Sequence, residues 1–242
     1  MIIAFFLLFF PTSPDTITLQ KGDACFIAQD YSGAITVYQQ YLNGTRNDAQ
    51  AYWRIARANI CIGDVSRKDE KESCYRRALF FSNHAVELDS MDSNVQCWYA
   101  VSMGYIALFE GSKKKVELCN RIQNALERSI TLDPHNDVAF SIYGSFYHVL
   151  GNVNWFERSL ANLLLGGLPE GGFEESEKMF LKAIEIAPNL LRHRYELGLL
   201  YFDWGKEKKG NEVFQSALTL PITLASDIRR IEKMKQKLQH ID

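Results

Sequence analysis

The sequence predicts an all-α protein: a right-handed helical-repeat solenoid of tetratricopeptide type, with about five helix pairs, one inserted helix and a C-terminal capping helix. Three observations predict it. Glycine, small and aromatic residues recur at matching offsets in successive segments. Pro134, Pro188 and Pro221 fall where one helix pair should end, because proline lacks the N–H that a helix interior needs. The chain shows neither the alternation and glycines of a parallel sheet nor a hairpin series.

The last unit carries the pattern most plainly. Leu197, Gly198 and Tyr201 share one helical face, Gly205 marks a turn, and Phe214 and Ala217 sit on the returning helix. Gly198 and Ala217 are small where helices must approach closely. These offsets match a repeat of about 34 residues. The first unit uses Gly22, Tyr31, Ala34 and Tyr38, with QDY at its turn. The second starts at Trp53 and closes with Ala78 and Ala85, around a long charged turn, GDVSRKDEKE. The third runs from Trp98 to Ser129 and ends at Pro134. The fourth opens with Phe140, Tyr143, Gly144, Tyr147 and Gly151, resumes at Phe173, and closes with Phe180, Ala183 and Pro188. A last helix is predicted over about Thr223 to Gln239. Its Ile228, Ile231, Met234 and Leu238 should pack inward while its basic residues remain solvated, capping an apolar face that would otherwise meet water. The runs Lys113–Lys115 and Lys206–Gly210 are placed in turns.

The fourth unit is split by an apolar stretch, GNVNWFERSLANLLLGG. Its centre has the pattern of a helix of about three turns, and Gly166, Gly167, Gly171 and Gly172 supply a flexible exit. Tyr143, Gly144, Tyr147, His148, Gly151, Asn152, Trp155, Phe156, Glu157 and Arg158 appear in an order that a plain tetratricopeptide repeat lacks, followed by Leu168 and Pro169. From about Tyr75 onward the chain resembles the regulator of microtubule dynamics family and its bacterial relatives. The resemblance implies a helical-repeat binding protein without an established enzyme chemistry. Eukaryotic members are associated with microtubules and organelle membranes. The microtubule role is not carried over, since this sequence shows neither a long basic tail nor a clear membrane span. Trp155, Phe156, Glu157 and Arg158 are read first as packing within the insertion, with Glu157 and Arg158 pairing or capping locally, and second as a roof over a ligand groove.

Composition narrows the function. The 242 residues carry 47% apolar and 23% charged side chains and a net charge of −2. This suits a folded domain and gives no bulk attraction to nucleic acid or anionic lipid. Residues 1–14 form a hydrophobic segment of signal-peptide length, although no basic residue precedes the run. With cleavage the protein would be exported or periplasmic; without it, cytoplasmic. Residues 15–242 form the superhelical domain. Cys25, Cys61, Cys74, Cys97 and Cys119 lack metal-ligand spacing and read as buried or half-buried helix residues.

In such a solenoid the first helix of each pair lines the concave face. Arg54, Tyr99, Ser141, Ser145, His148, Arg192 and Tyr195 are therefore the candidate groove residues. Arg54 and Arg192 offer rigid donor forks to a carboxylate, and Tyr99 and Tyr195 offer flat aromatic contact. The Lys and Asn set of a carboxylate clamp is not matched. No hydrolase, nucleotide or metalloprotease motif occurs, and the histidines are scattered. The sequence thus predicts a non-catalytic scaffold or adaptor without cofactor or metal, taking a protein or peptide in its groove. The alternative is an envelope-complex component that takes a small ligand or a membrane-protein partner, with any membrane association running through that partner. No continuous basic stripe with stacking groups points to nucleic acid.

Overall fold

A computed structural model of the chain describes residues 14–45, 47–154, 158, 161 and 167–239. Its helices are α1 (Pro14–Ile27), α2 (Tyr31–Thr45), α3 (Ala49–Val65), α4 (Lys68–Leu88), α5 (Ser93–Glu110), α6 (Ser112–Leu132), α7 (Asp137–Gly151), α8 (Phe173–Ile186), α9 (Leu191–Asp203), α10 (Glu207–Ala217) and α11 (Asp227–Gln239). The described residues form no strand. Successive helices pair as α1–α2, α3–α4, α5–α6, α7–α8 and α9–α10, and each pair packs on the next. This is the predicted helical-repeat solenoid.

The pairs close because a small residue on the first helix admits an aromatic ring from the second. A Cβ at Gly198 would lie 2.3 Å from the Phe214 ring, and one at Gly144 would lie 2.7 Å from Phe180. Gly22 meets Tyr38 and Gly63 meets Tyr75 in the same way. Phe180 and Phe214 are almost fully buried, and each such side chain contributes about 1.5–3 kcal/mol of transfer free energy. The α5–α6 pair departs from this rule, since Gly104 meets nothing within 4 Å. There Ala100, Met103 and Ala107 pack against Leu118, Ile122 and Leu126.

Side-chain caps set where three of the inner helices begin. Asp48 accepts from Gln50 N, Asp92 from Val95 N, and Asn136 from Ala139 N. Each satisfies an N–H that the helix cannot pair internally.

Several boundaries differ from the sequence expectation. The long charged turn of the second pair is absent, and only Ser66 and Arg67 separate α3 from α4. Asp69 and Glu70 instead occupy the first turn of α4, where negative charge complements the helix dipole. Lys113–Lys115 belong to α6, because Gly111, with φ 91°, makes the turn alone. Gly205, with φ 72°, sits at the centre of a three-residue turn before α10, which places Lys208 and Lys209 in that helix. The last helix begins at Asp227 and not near Thr223, since the Asp227 carboxylate accepts from the backbone N–H groups of Thr223 and Leu224 at 3.0 and 2.9 Å. Ile228 is 55% exposed, against the inward placement expected for it. Met234 is buried, with Ile231 and Leu238 packed beside it against α9 and α10. The hydrophobic segment 1–14 falls almost wholly outside the described residues, as do Trp155, Phe156 and Glu157.

Candidate functional site

Residues of α5, α7 and α9, together with α6 and α11, line an open cavity of about 360 Å³. Its wall is mostly aliphatic and aromatic, from Val101, Ala107, Leu108, Ile122, Ile142, Phe146 and Val149. Leu108 and Val149 are about half exposed, which places them at its edge. A second cleft of about 250 Å³ adjoins it, bounded by Asp64, Tyr105, Tyr195, Glu196, Leu199, Ser226, Arg229, Arg230 and Lys233. Tyr105, Glu196 and Arg230 border both spaces, so the two form one channel with an apolar half and a charged half. The first volume lies near the lower end of the range for small-molecule pockets, roughly 300–1,000 Å³.

The charged half is organised around α11. Arg230 donates to Asp227 Oδ1 at 2.8 Å and to Ser226 Oγ at 2.7 Å. Burial works against its charge, but Glu196, Asp227 and Asp64 outweigh that effect and hold its pKa above the ordinary value. Tyr105 donates to Asp64 Oδ2 at 3.0 Å. Burial first, and then the negative charge of Asp64, push the Tyr105 phenol well above its usual pKa, so it stays a donor. The segment before α11 reaches the opposite end of the molecule, where Ala225 N donates to the hydroxyl of buried Tyr31 at 3.1 Å. This single bond links residues 194 positions apart. The segment before the last helix therefore ties back to the first pair, while the helix itself packs on the final pair.

The candidate groove residues separate into three groups. Ser145, His148 and Arg192 line the first cavity. Arg192 is half-buried, and its side chain makes no hydrogen bond or ion pair with a described residue. His148 is held by Asp203, with Nε2 to Oδ2 at 2.9 Å, and Ser145 Oγ donates to the Ser141 carbonyl at 3.2 Å. Tyr195 borders the second cleft but is 6% exposed, stacked on Phe214 with centroids 5.8 Å apart. Its role there is mainly to support α10 and α11.

Arg54, Tyr99 and Ser141 do not line the channel. The donor fork of Arg54 is already occupied: its Nε donates to Asp23 at 3.1 and 3.2 Å, and its Nη1 to the Gln50 carbonyl at 2.9 Å. It joins α3 to α1. Tyr99 turns toward α6 and accepts from Arg121. Ser141 is fully buried between helices. One register step around a helix is about 100°, and this separates the groove face from the packing face.

Arg158 joins the insertion to the end of α7. Its Nη1 donates to the Pro169 carbonyl at 3.0 Å and its Nη2 to the Leu150 carbonyl at 3.2 Å. One side chain thus ties the insertion's exit to the end of α7 and satisfies a helix-terminal carbonyl. The partners of Arg158 are thus main-chain carbonyls. Gly171, with φ 120°, lies against the Tyr147 ring, where a Cβ would come within 2.5 Å. Cys119 lines the first cavity near Arg158, and burial raises its thiol pKa to about 11. Cys61 and Cys97 are pushed to about 12 by burial. All five cysteines are free thiols.

Sequence reasoning missed Asp64, Tyr105, Glu196, Arg229, Arg230 and Lys233. Glu196 had a readable signal, since it lies one helical turn beyond Arg192. Arg229, Arg230 and Lys233 had none, because their position depends on where α11 crosses. Among the described residues no group of three His, Cys, Asp or Glu side chains is placed to hold a metal, and no helix is long and apolar enough to cross a membrane.

Residues 18–242 match the family described as Regulator of microtubule dynamics protein 1-3, a wider span than the resemblance from Tyr75 onward. Regulator of microtubule dynamics protein 2 of Homo sapiens is 25% identical over 225 residues, covering 92% of this chain and 55% of that protein. Regulator of microtubule dynamics protein 1 of Mus musculus is 27% identical over 164 residues, covering 66% of this chain and 54% of that protein. The chain spans about half the length of these curated relatives. Among solved structures, the thermophilic TPR protein TTC0263 of Thermus thermophilus superposes with a TM-score of 0.69 at 15% identity, covering 93% of this chain and 99% of that one. MamA of Desulfovibrio magneticus gives 0.50 at 13% identity, covering 86% and 96%. At these identities the likeness is one of fold alone.

Proposed function

The chain belongs to the Regulator of microtubule dynamics protein 1-3 family, and from that premise we propose that it is a non-catalytic scaffold that binds a protein or peptide segment along its concave channel. One observation carries this reading. The Arg192 side chain stands half-buried and unpaired among the described residues, in the wall of a mostly apolar cavity that adjoins a second, charged cleft. A guanidinium in low dielectric is stabilised by a partner that accepts hydrogen bonds, and the surrounding wall gains from covering its apolar surface. Helix-lined grooves of this kind take a helix or an extended segment. Two channel groups are held in internal pairs, His148 with Asp203 and Arg230 with Asp227, while Arg192 keeps its donors available to a partner.

A second reading is a small ligand, or a membrane-protein partner within an envelope complex. The 360 Å³ volume of the first cavity, which falls in the size range of small-molecule pockets, supports it. The same experiment addresses both. The protein is affinity-purified from native cells, and its partners are quantified by mass spectrometry for wild type and Arg192→Met, with equal helical content confirmed by circular dichroism. A reproducible partner depleted at least several-fold by Arg192→Met is expected. A partner retained by the variant would place the interface elsewhere. Co-purification of a small molecule without a protein would favour the second reading.

A further inference from the structure

We propose that the channel is selective for acidic peptide segments, with an apolar stretch in the first cavity and carboxylates in the second. This rests on the scaffold reading above and names the chemistry of its partner. The argument starts from the charges that face the channel. Arg230 is neutralised by Asp227 at 2.8 Å. The other cations are Lys115 and Arg192 around the first cavity, and Arg229 and Lys233 along the second. None of these four side chains makes a hydrogen bond or ion pair with a described residue. The opposing carboxylates are Asp64 and Glu196, and Asp64 already accepts from Tyr105. Cations therefore exceed carboxylates along the channel although the whole chain carries −2.

The excess comes from one element. Arg229 and Lys233 both lie on α11, which faces the channel because Met234 is buried against α9 and α10 and Ala225 is tied to Tyr31. Without that helix the second cleft would keep Asp64, Glu196 and two aromatic rings. The C-terminal helix thus reverses the sign of the binding surface. Arg192, near the junction of the two halves, offers a fork that can receive a carboxylate through two parallel bonds. The aliphatic wall of Ala107, Leu108, Ile142 and Val149 covers the neighbouring apolar side chains. A basic segment would meet four unpaired cations, and a wholly apolar one would leave them desolvated.

The test uses the full chain and fluorescence anisotropy. Three short labelled peptides share an apolar block and end in glutamates, glutamines or lysines. The glutamate peptide is expected to bind most tightly and to weaken as salt rises, since exposed charges are screened over about 8–10 Å at physiological ionic strength. Arg192→Met should weaken it by on the order of tenfold or more, and Arg192→Lys by less. Arg229→Ser combined with Lys233→Ser removes two solvent-accessible charges of the second cleft and should flatten the salt dependence without lowering the melting temperature. Equal binding of all three peptides would overturn the acidic selectivity and leave the scaffold reading standing. If no peptide binds, both ideas fail. Vesicles of phosphatidylcholine with phosphatidylserine form a parallel arm, and uptake of their lipid without peptide binding would also overturn the proposal.

Discussion

At the scale of single residues, the fold depends on rings entering spaces left by missing side chains. Gly198 is the sharpest case. Alanine would favour the helix by about 0.8–1.0 kcal/mol on intrinsic propensity, yet its Cβ would lie 2.3 Å from two atoms of the buried Phe214 ring. Overpacking costs about 1–3 kcal/mol, so the clash should win. Gly198→Ala is expected to lower the urea midpoint, and Phe214→Leu in the same chain should recover part of the loss. Additive effects of the two substitutions would show that the contact does not limit packing there. The repeat offsets announced this contact in advance, because small and aromatic residues at fixed spacing are its direct consequence. The fate of Arg54 was not announced. A guanidinium reads alike in a sequence whether it awaits a ligand or grips Asp23.

At the scale of elements, the caps and turns explain the boundaries. Gly111 and Gly205 each make a turn with positive φ, which moves neighbouring lysines out of the expected loops and into helices. That shift has a consequence, since Lys115 on α6 then borders the channel. Arg158 bonds to the Leu150 and Pro169 carbonyls and so spans the two ends of the insertion. Each hydrogen bond from a charged donor contributes roughly 1.5–3 kcal/mol, less where water competes. Arg158→Ala should therefore accelerate amide hydrogen exchange over residues 167–172 and at the end of α7, while α1–α4 keep wild-type protection. Unchanged exchange in that segment would mean that other contacts hold the exit.

At the scale of the whole molecule, the first and last parts of the chain meet. Ala225 N–H to the Tyr31 hydroxyl is the hydrogen bond that ties the C-terminal segment to the first helix pair. Solenoids are otherwise stabilised by nearest neighbours, so a tie between ends couples repeats that would open independently. Tyr31→Phe removes the hydroxyl and keeps the ring. A loss of about 0.5–1.5 kcal/mol is expected for the bond, with faster exchange at 222–227 and a larger radius of gyration by small-angle scattering. If the scattering profile is unchanged, the packing of Met234 against α9 and α10 is sufficient to hold the strap.

The sequence by itself determined the helical repeat, the order and nearly the number of its pairs, the family, and the presence of an insertion in the fourth pair. All of these follow from local spacing: the offset of Gly144 from Tyr147 or of Phe214 from Ala217 is the helical period written in residues. The same helical period put Arg192, His148 and Ser145 among the groove candidates, and these three line the first cavity. Only the tertiary structure decided that Arg54 and Tyr99 are occupied by Asp23 and Arg121, that Ser141 is buried, and that α11 carries Arg229, Arg230 and Lys233 to Asp64 and Tyr105. These contacts join helices far apart in the chain. Their geometry comes from the accumulated rotation of the stacked pairs, a quantity to which every interface contributes and which no single stretch of residues encodes.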